Sequence, residues 1–155
     1  MDTNLLIDEV EDSQQQLIRA EKTRRLEALA SETNDPNFAY YLAQNVDGID
    51  IRFLGKIVIN SGNLKYNYYF ARDILGADVR AHGKVIINSR NLIYNYRFAR
   101  GVKGANIMAH HQVIIDSGDE KYNRLFDKII QTNECEDDYT TETKHVKTLT
   151  KPKNF

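Results

Sequence analysis

The residues best suited to covalent or metal chemistry in this chain are few and scattered. His82 and His110 stand 28 positions apart, and His111 adjoins the second. A metal site needs three or four donors converging on one point. Histidines on neighbouring packed helices would lie about 10 Å apart. The matching positions earlier in the chain, Leu26 and Leu54, are apolar. The column therefore reads as partly buried packing. The single cysteine, Cys135, lies in the run ECEDDY, where nearby negative charge raises a thiol pKa and blunts its reactivity. Glu134, Glu136, Asp137 and Asp138 around it lack the glycine and alternation of a calcium loop. The sequence shows no phosphate-cradling glycine loop and no supported Ser/His/Asp arrangement. The expectation is a protein that is not an enzyme and uses no cofactor or metal.

Side chains suited to recognition are more numerous, and they recur. Arg24, Arg52 and Arg80 share one column at a 28-residue spacing, and Lys56 and Lys84 share another. Arg72 and Arg100 make a third, with Arg97 and Lys103 nearby. Tyr40, Tyr68 and Tyr96 recur with Tyr69 beside them, and Asn67, Asn95 and Asn123 form a ladder between tyrosines. Arginine near tyrosine suits phosphate contact and base stacking, and it suits an acidic protein surface equally well. The tyrosine column is either packing between helix layers, with the hydroxyl at the edge, or a set of binding anchors. The asparagines either bond a loop of the next repeat or hold a bound chain's backbone. The candidate partner-binding set is Arg52, Lys56, Asn67, Tyr68, Tyr69, Arg72, Arg80, Lys84, Asn95, Tyr96, Arg97, Arg100 and Lys103.

The elements that must position these groups follow from the same period. Shifting the chain by 28 aligns residues 23–50, 51–78, 79–106 and 107–134. Phe38, Tyr66, Tyr94 and Tyr122 then fall in register, as do Leu42, Phe70, Phe98 and Phe126, and Val46, Ile74, Val102 and Ile130. These columns are four residues apart, on one helix face. Asp35, Asn63, Asn91 and Asp119 precede that helix, each with a side-chain oxygen able to accept an orphan N–H. Pro36 fits the first helical position. Gly48, Gly76 and Gly104 read as left-handed C′ residues. The other half of each unit follows Asp50, Asp78 or Asn106. Its runs Ile57-Val58-Ile59 and Val85-Ile86-Ile87 favour strand by propensity. The cap before each run and the strong helix former RRLEALASE in the first unit favour helix, with a strand–helix repeat as the rival. Gly55 and Gly83 lie inside that first helix, where close approach of another helix would justify them. Residues 4–31 read as one long capping helix.

Charge is segregated along the chain. Residues 1–50 hold 11 acids and 4 bases, residues 51–106 hold 2 acids and 10 bases, and residues 107–155 hold 9 acids and 7 bases. The three segments carry −7, +8 and −2, so an acidic partner would be steered to the middle. No run of 18 apolar residues is present, and the acidic start MDTNLLIDEVEDSQQQ does not resemble a signal peptide. A cytoplasmic location and no membrane partner are expected. Residues 135–155, threonine-rich and without period, read as a polar disordered tail after a single repeat domain over residues 1–134.

The stretches SGNLKYNYYFARDILGAD and SRNLIYNYRFARGVKGAN resemble the short tandem repeats of uncharacterised bacterial, phage and giant-virus proteins. They also resemble two-helix solenoid modules of the HEAT kind. The resemblance covers residues 23–134 and implies a scaffold for macromolecular recognition. For a phage protein it implies an inhibitor of a host defence complex (anti-CRISPR-like) or of a nucleic-acid-processing complex, acting in the host cytoplasm. The combined expectation is an all-α fold: a short α-solenoid of four two-helix repeats, non-enzymatic, binding an acidic protein surface or nucleoprotein complex through repeats two and three. Direct binding of nucleic acid, single-stranded or duplex, is the alternative. Exposed terminal repeats would also permit a homodimer.

Overall fold

The structure, a computed structural model, describes residues 3–132. The polar segment 135–155 and Cys135 lie outside the described residues. Seven helices run in order: α1 (Thr3–Thr33), α2 (Pro36–Asn45), α3 (Ile51–Asn60), α4 (Leu64–Asp73), α5 (Val79–Ser89), α6 (Leu92–Gly101) and α7 (Ile107–Ser117). An eighth, α8, covers residues 120–132. Among the described residues there is no strand, so the fold is all-α. The β-branched runs are helical because their side chains are core. Val58 and Ile86 are fully buried and Ile57 nearly so. Burial of such a side chain is worth roughly 1.5–3 kcal/mol, against a helix-propensity cost of a few tenths per residue.

Local chemistry sets where each helix begins. The N–H of Phe53 donates to Asp50 Oδ1 at 3.0 Å, that of Ala81 to Asp78 at 2.9 Å, and that of Ala109 to Asn106 at 3.1 Å. The same bond starts α4 from Asn63, α6 from Asn91 and α8 from Asp119. Each satisfies one orphan donor of a first turn.

The C-terminal glycines behave differently from the C′ expectation. Helix α4 ends on Ile74 in an extended conformation, with its N–H still bonded to Phe70 O, and Gly76 lies two residues further on at φ +84°. The N–H of Ala77 then donates to Ile74 O at 3.2 Å, and Ala105 repeats this on Val102 at 3.1 Å. The left-handed glycine is thus the third residue of a separate β-turn. The extended residue ahead of that turn puts its side chain in the core, where Ile74 and Val102 are both buried.

Packing is strictly local. Each of α1–α7 touches only helices one or two places away in the chain. Three successive clusters form the core. The first is built around Leu42, Leu54, Val58 and Phe70, the second around Ile86 and Phe98, and the third around Ile114 and Phe126. Helix α1 joins the first cluster through Ala30, with Leu26 packed against it, while residues 9–20 of α1 are exposed.

Candidate functional site

The interior polar ladder and the charged exterior have separate roles. Asn67 is fully buried, and its Nδ2 donates to Val58 O at 3.0 Å and to its own cap carbonyl, Asn63 O, at 2.9 Å. With both donors used, Oδ1 faces His82 Nδ1 of the next unit at 2.8 Å. An amide oxygen only accepts, so Nδ1 carries the proton and the imidazole is the neutral Nδ1–H tautomer. Asn95 repeats every bond, to Ile86 O, Asn91 O and His110 Nδ1. The two imidazoles stack on Phe70 and Phe98 at centroid distances of 5.0 and 4.8 Å. Burial pushes His82 down to about 4, with Asp78 partly opposing, and burial alone pushes His110 down to about 4. Charging either ring would place a cation in the interior, with Asp78 offsetting little of the cost at His82 and no acid offsetting it at His110. Asn67 and Asn95 are therefore not partner-binding residues: all their polar atoms are spent inside the protein.

The rings pass close over Gly55 and Gly83, most closely over Gly83. A Cβ on Gly83 would meet Phe98 Cε1 at 3.2 Å and His110 Nε2 at 3.5 Å, and one on Gly55 would meet Phe70 Cε1 at 3.4 Å. In the fourth unit the same column holds His111. Its ring lies almost parallel to Phe126, 5.0 Å away and tilted by 9°. The stacking partner that the next unit supplies to Phe70 and Phe98 is supplied to Phe126 by its own unit.

The tyrosine column bridges successive even-numbered helices. Tyr40 Oη donates to Asp73 Oδ2 at 2.7 Å. Burial and that bond push the phenol up to about 12. Tyr68 directs its hydroxyl at Gly101, where a Cβ would lie only 2.9 Å from it. Tyr96 packs against Tyr122 and Phe126 at 6.1 and 6.0 Å. Tyr68, Tyr69 and Tyr96 are half-buried, and their main role is this packing, with the hydroxyls at the edge. Arg72 is exposed, but its charge is engaged. Its Nε and Nη2 donate to Asp73 at 2.6 and 2.8 Å, and its guanidinium lies 5.1 Å from the Tyr68 ring centroid and 5.0 Å from that of Tyr69. Arg72 holds the Asp73 carboxyl below the usual range, against the effect of burial.

The remaining cations stay outside. Arg52, Lys56, Arg80, Lys84, Arg97, Arg100 and Lys103 are all exposed. Among the described residues none of them is in an ion pair. Arg52 and Lys56 line a groove of about 560 Å³ with Gly76 and Asp78, the turn that follows Arg72 and Asp73. Arg100 and Lys103 line a larger one, about 800 Å³, together with Lys128 of α8. Lys128 was missed by sequence reasoning, although it is the third member of the column Arg72, Arg100, Lys128 at the same spacing. No group of three or more His, Cys, Asp or Glu side chains able to hold a metal ion occurs among the described residues. None of the helices there is long and apolar enough to cross a membrane. No family model, curated protein or solved structure matches the chain.

Proposed function

We propose that the chain is a short α-solenoid of four two-helix repeats whose work is non-enzymatic binding of an acidic macromolecular surface. The observation behind this reading is the separation of polar groups. Asparagine and histidine are consumed in the interior, while nine cations of the middle units remain exposed and, among the described residues, outside any ion pair. Like charges gathered on one stretch of the chain steer an acidic partner towards it, so their repetition points to binding. An acidic protein, alone or within a nucleoprotein complex, is the favoured partner. In a phage setting that protein would belong to a host defence or nucleic-acid-processing complex, which the chain would occlude. Nucleic acid is the second reading, supported by the cations themselves. It is weakened by the tyrosines, whose rings are engaged by neighbouring rings and leave little free face for bases.

Salt-titrated binding to a single strand and to a duplex separates the two. Direct nucleic-acid binding requires a steep salt slope that flattens when Arg80, Arg97 and Arg100 become alanine. The favoured reading expects no such sequence-independent binding at physiological salt. A steep slope with both nucleic acids would overturn it in favour of the second.

A further inference from the structure

The charge pattern differs between units at one position. Asp73 neutralises Arg72, and the position 28 residues later is Gly101. Arg100 is thereby left without the local acid that Arg72 has. It lies at the end of α6, Lys103 in the following turn, and Lys128 on α8. The three cations come from three elements and rim one groove of about 800 Å³. The groove is also lined by half-buried apolar side chains, Ala105, Ile107 and Leu125.

We infer that this groove is a docking site for an acidic peptide segment that carries an apolar side chain between its carboxylates. The assignment rests on the reading of an acidic partner given above, and it names the place and chemistry of the contact. Complementary charge accounts for the rim, and the apolar lining rewards a side chain that leaves water. A nucleic-acid strand would satisfy the rim alone. Tyr96, the aromatic residue of the groove, already packs against Tyr122 and Phe126. The three cations lie on separate elements, so a bound segment would also tie α6, the turn and α8 together.

The test is fluorescence anisotropy at low salt with a labelled Glu-Glu-Phe-Glu-Glu peptide. Its companions are Glu-Glu-Ser-Glu-Glu and an oligothymidine of equal charge. The inference predicts that the phenylalanine peptide binds at least about fivefold tighter than the serine peptide. It predicts that R100A/K103A/K128A weakens that binding at least about tenfold, while R52A/K56A changes it by less than about twofold. Thermal melting of each variant checks that the fold is retained. Equal affinity for the two peptides, tighter binding of the oligothymidine, or an unaffected triple variant would overturn the inference. Loss of peptide binding in R52A/K56A/R80A/K84A alone would overturn it but leave the broader binding reading standing. Failure of every acidic probe to bind would remove both. A last arm neutralises Glu134, Glu136, Asp137 and Asp138 as Gln or Asn. Unchanged peptide affinity supports an external occupant, and a gain of more than about fivefold would transfer the groove to the chain's own acidic run.

Discussion

At the scale of single residues, the Asn67–His82 pair makes a sharp prediction because the protein contains its apolar counterpart. The first interface has Ala39 and Leu54 where the next has Asn67 and His82, and both pairs are fully buried. Asn67→Ala should cost roughly 1–3 kcal/mol, since it orphans the buried His82 Nδ1–H. His82→Leu alone orphans Asn67 Oδ1 and should cost a similar amount. The double variant N67A/H82L should recover most of the loss. Val58 O keeps the Ser61 hydroxyl, Asn63 O keeps the Asn67 N–H, and no buried donor is left bare. A double-mutant cycle by urea unfolding should give a coupling of about 1–3 kcal/mol, and additive losses would refute the pairing. The same burial sets a pH dependence. Both histidines have folded-state values of about 4, below the ordinary 6.5. The unfolded chain therefore binds more protons between those values. Stability is full above about pH 6.5 and falls as pH drops towards 4, by roughly 3 kcal/mol per histidine. Urea midpoints should decline across that window in the unmodified protein and decline less in N67A/H82L.

At the scale of elements, the glycines of α3 and α5 test how tightly the helices approach. Alanine in a helix interior gains about 1 kcal/mol over glycine. At Gly55 the new Cβ would make ordinary contact with Phe70 at 3.4 Å, whereas at Gly83 it would press Phe98 at 3.2 Å. G55A should therefore raise the melting temperature, and G83A should raise it less or lower it. The reverse order would contradict the packing described. Helix starts were legible in the sequence because an N-cap acts on an N–H two or three residues away, and Asn63, Asn91 and Asp119 carry that signal in their own short stretch. The β-branched half-units needed the burial of Val58 and Ile86 to decide between helix and strand. The Asn67–His82 bond spans an interface between units, so single columns gave no direct sign of it. Comparing the columns does: asparagine and histidine appear together, and where alanine stands at position 39, leucine stands at position 54. For the candidate site, the exposed cations were legible by type and spacing. That Asp73 follows Arg72 while Gly101 follows Arg100 was legible too; that the Asp73 carboxylate takes both the Arg72 guanidinium and the Tyr40 hydroxyl needed the packing.

At the scale of the whole molecule, cohesion comes from contacts between neighbours in the chain, and the polar groups divide into an interior set and an exterior set. His111 supplies in place the stacking that Phe70 and Phe98 take from the following unit. The ring therefore occupies the column held by Gly55 and Gly83 in the two preceding units. The interior set bonds successive helices to one another, and the exterior set is the one on which the proposed binding rests. A charge-reversal variant of the exterior set, R80E/K84E/R97E/R100E, should leave the melting temperature near that of the unmodified protein, since exposed charges contribute little to stability. The most direct measurement of the central claim uses both proteins as bait in an extract of the source cell, with recovered complexes resolved by size and their stoichiometry determined. The account predicts one acidic protein, or one nucleoprotein complex, recovered in fixed ratio with the unmodified chain and lost with the equally stable charge-reversed variant. Recovery of the same partner by both proteins, or of chaperones alone by either, would contradict it.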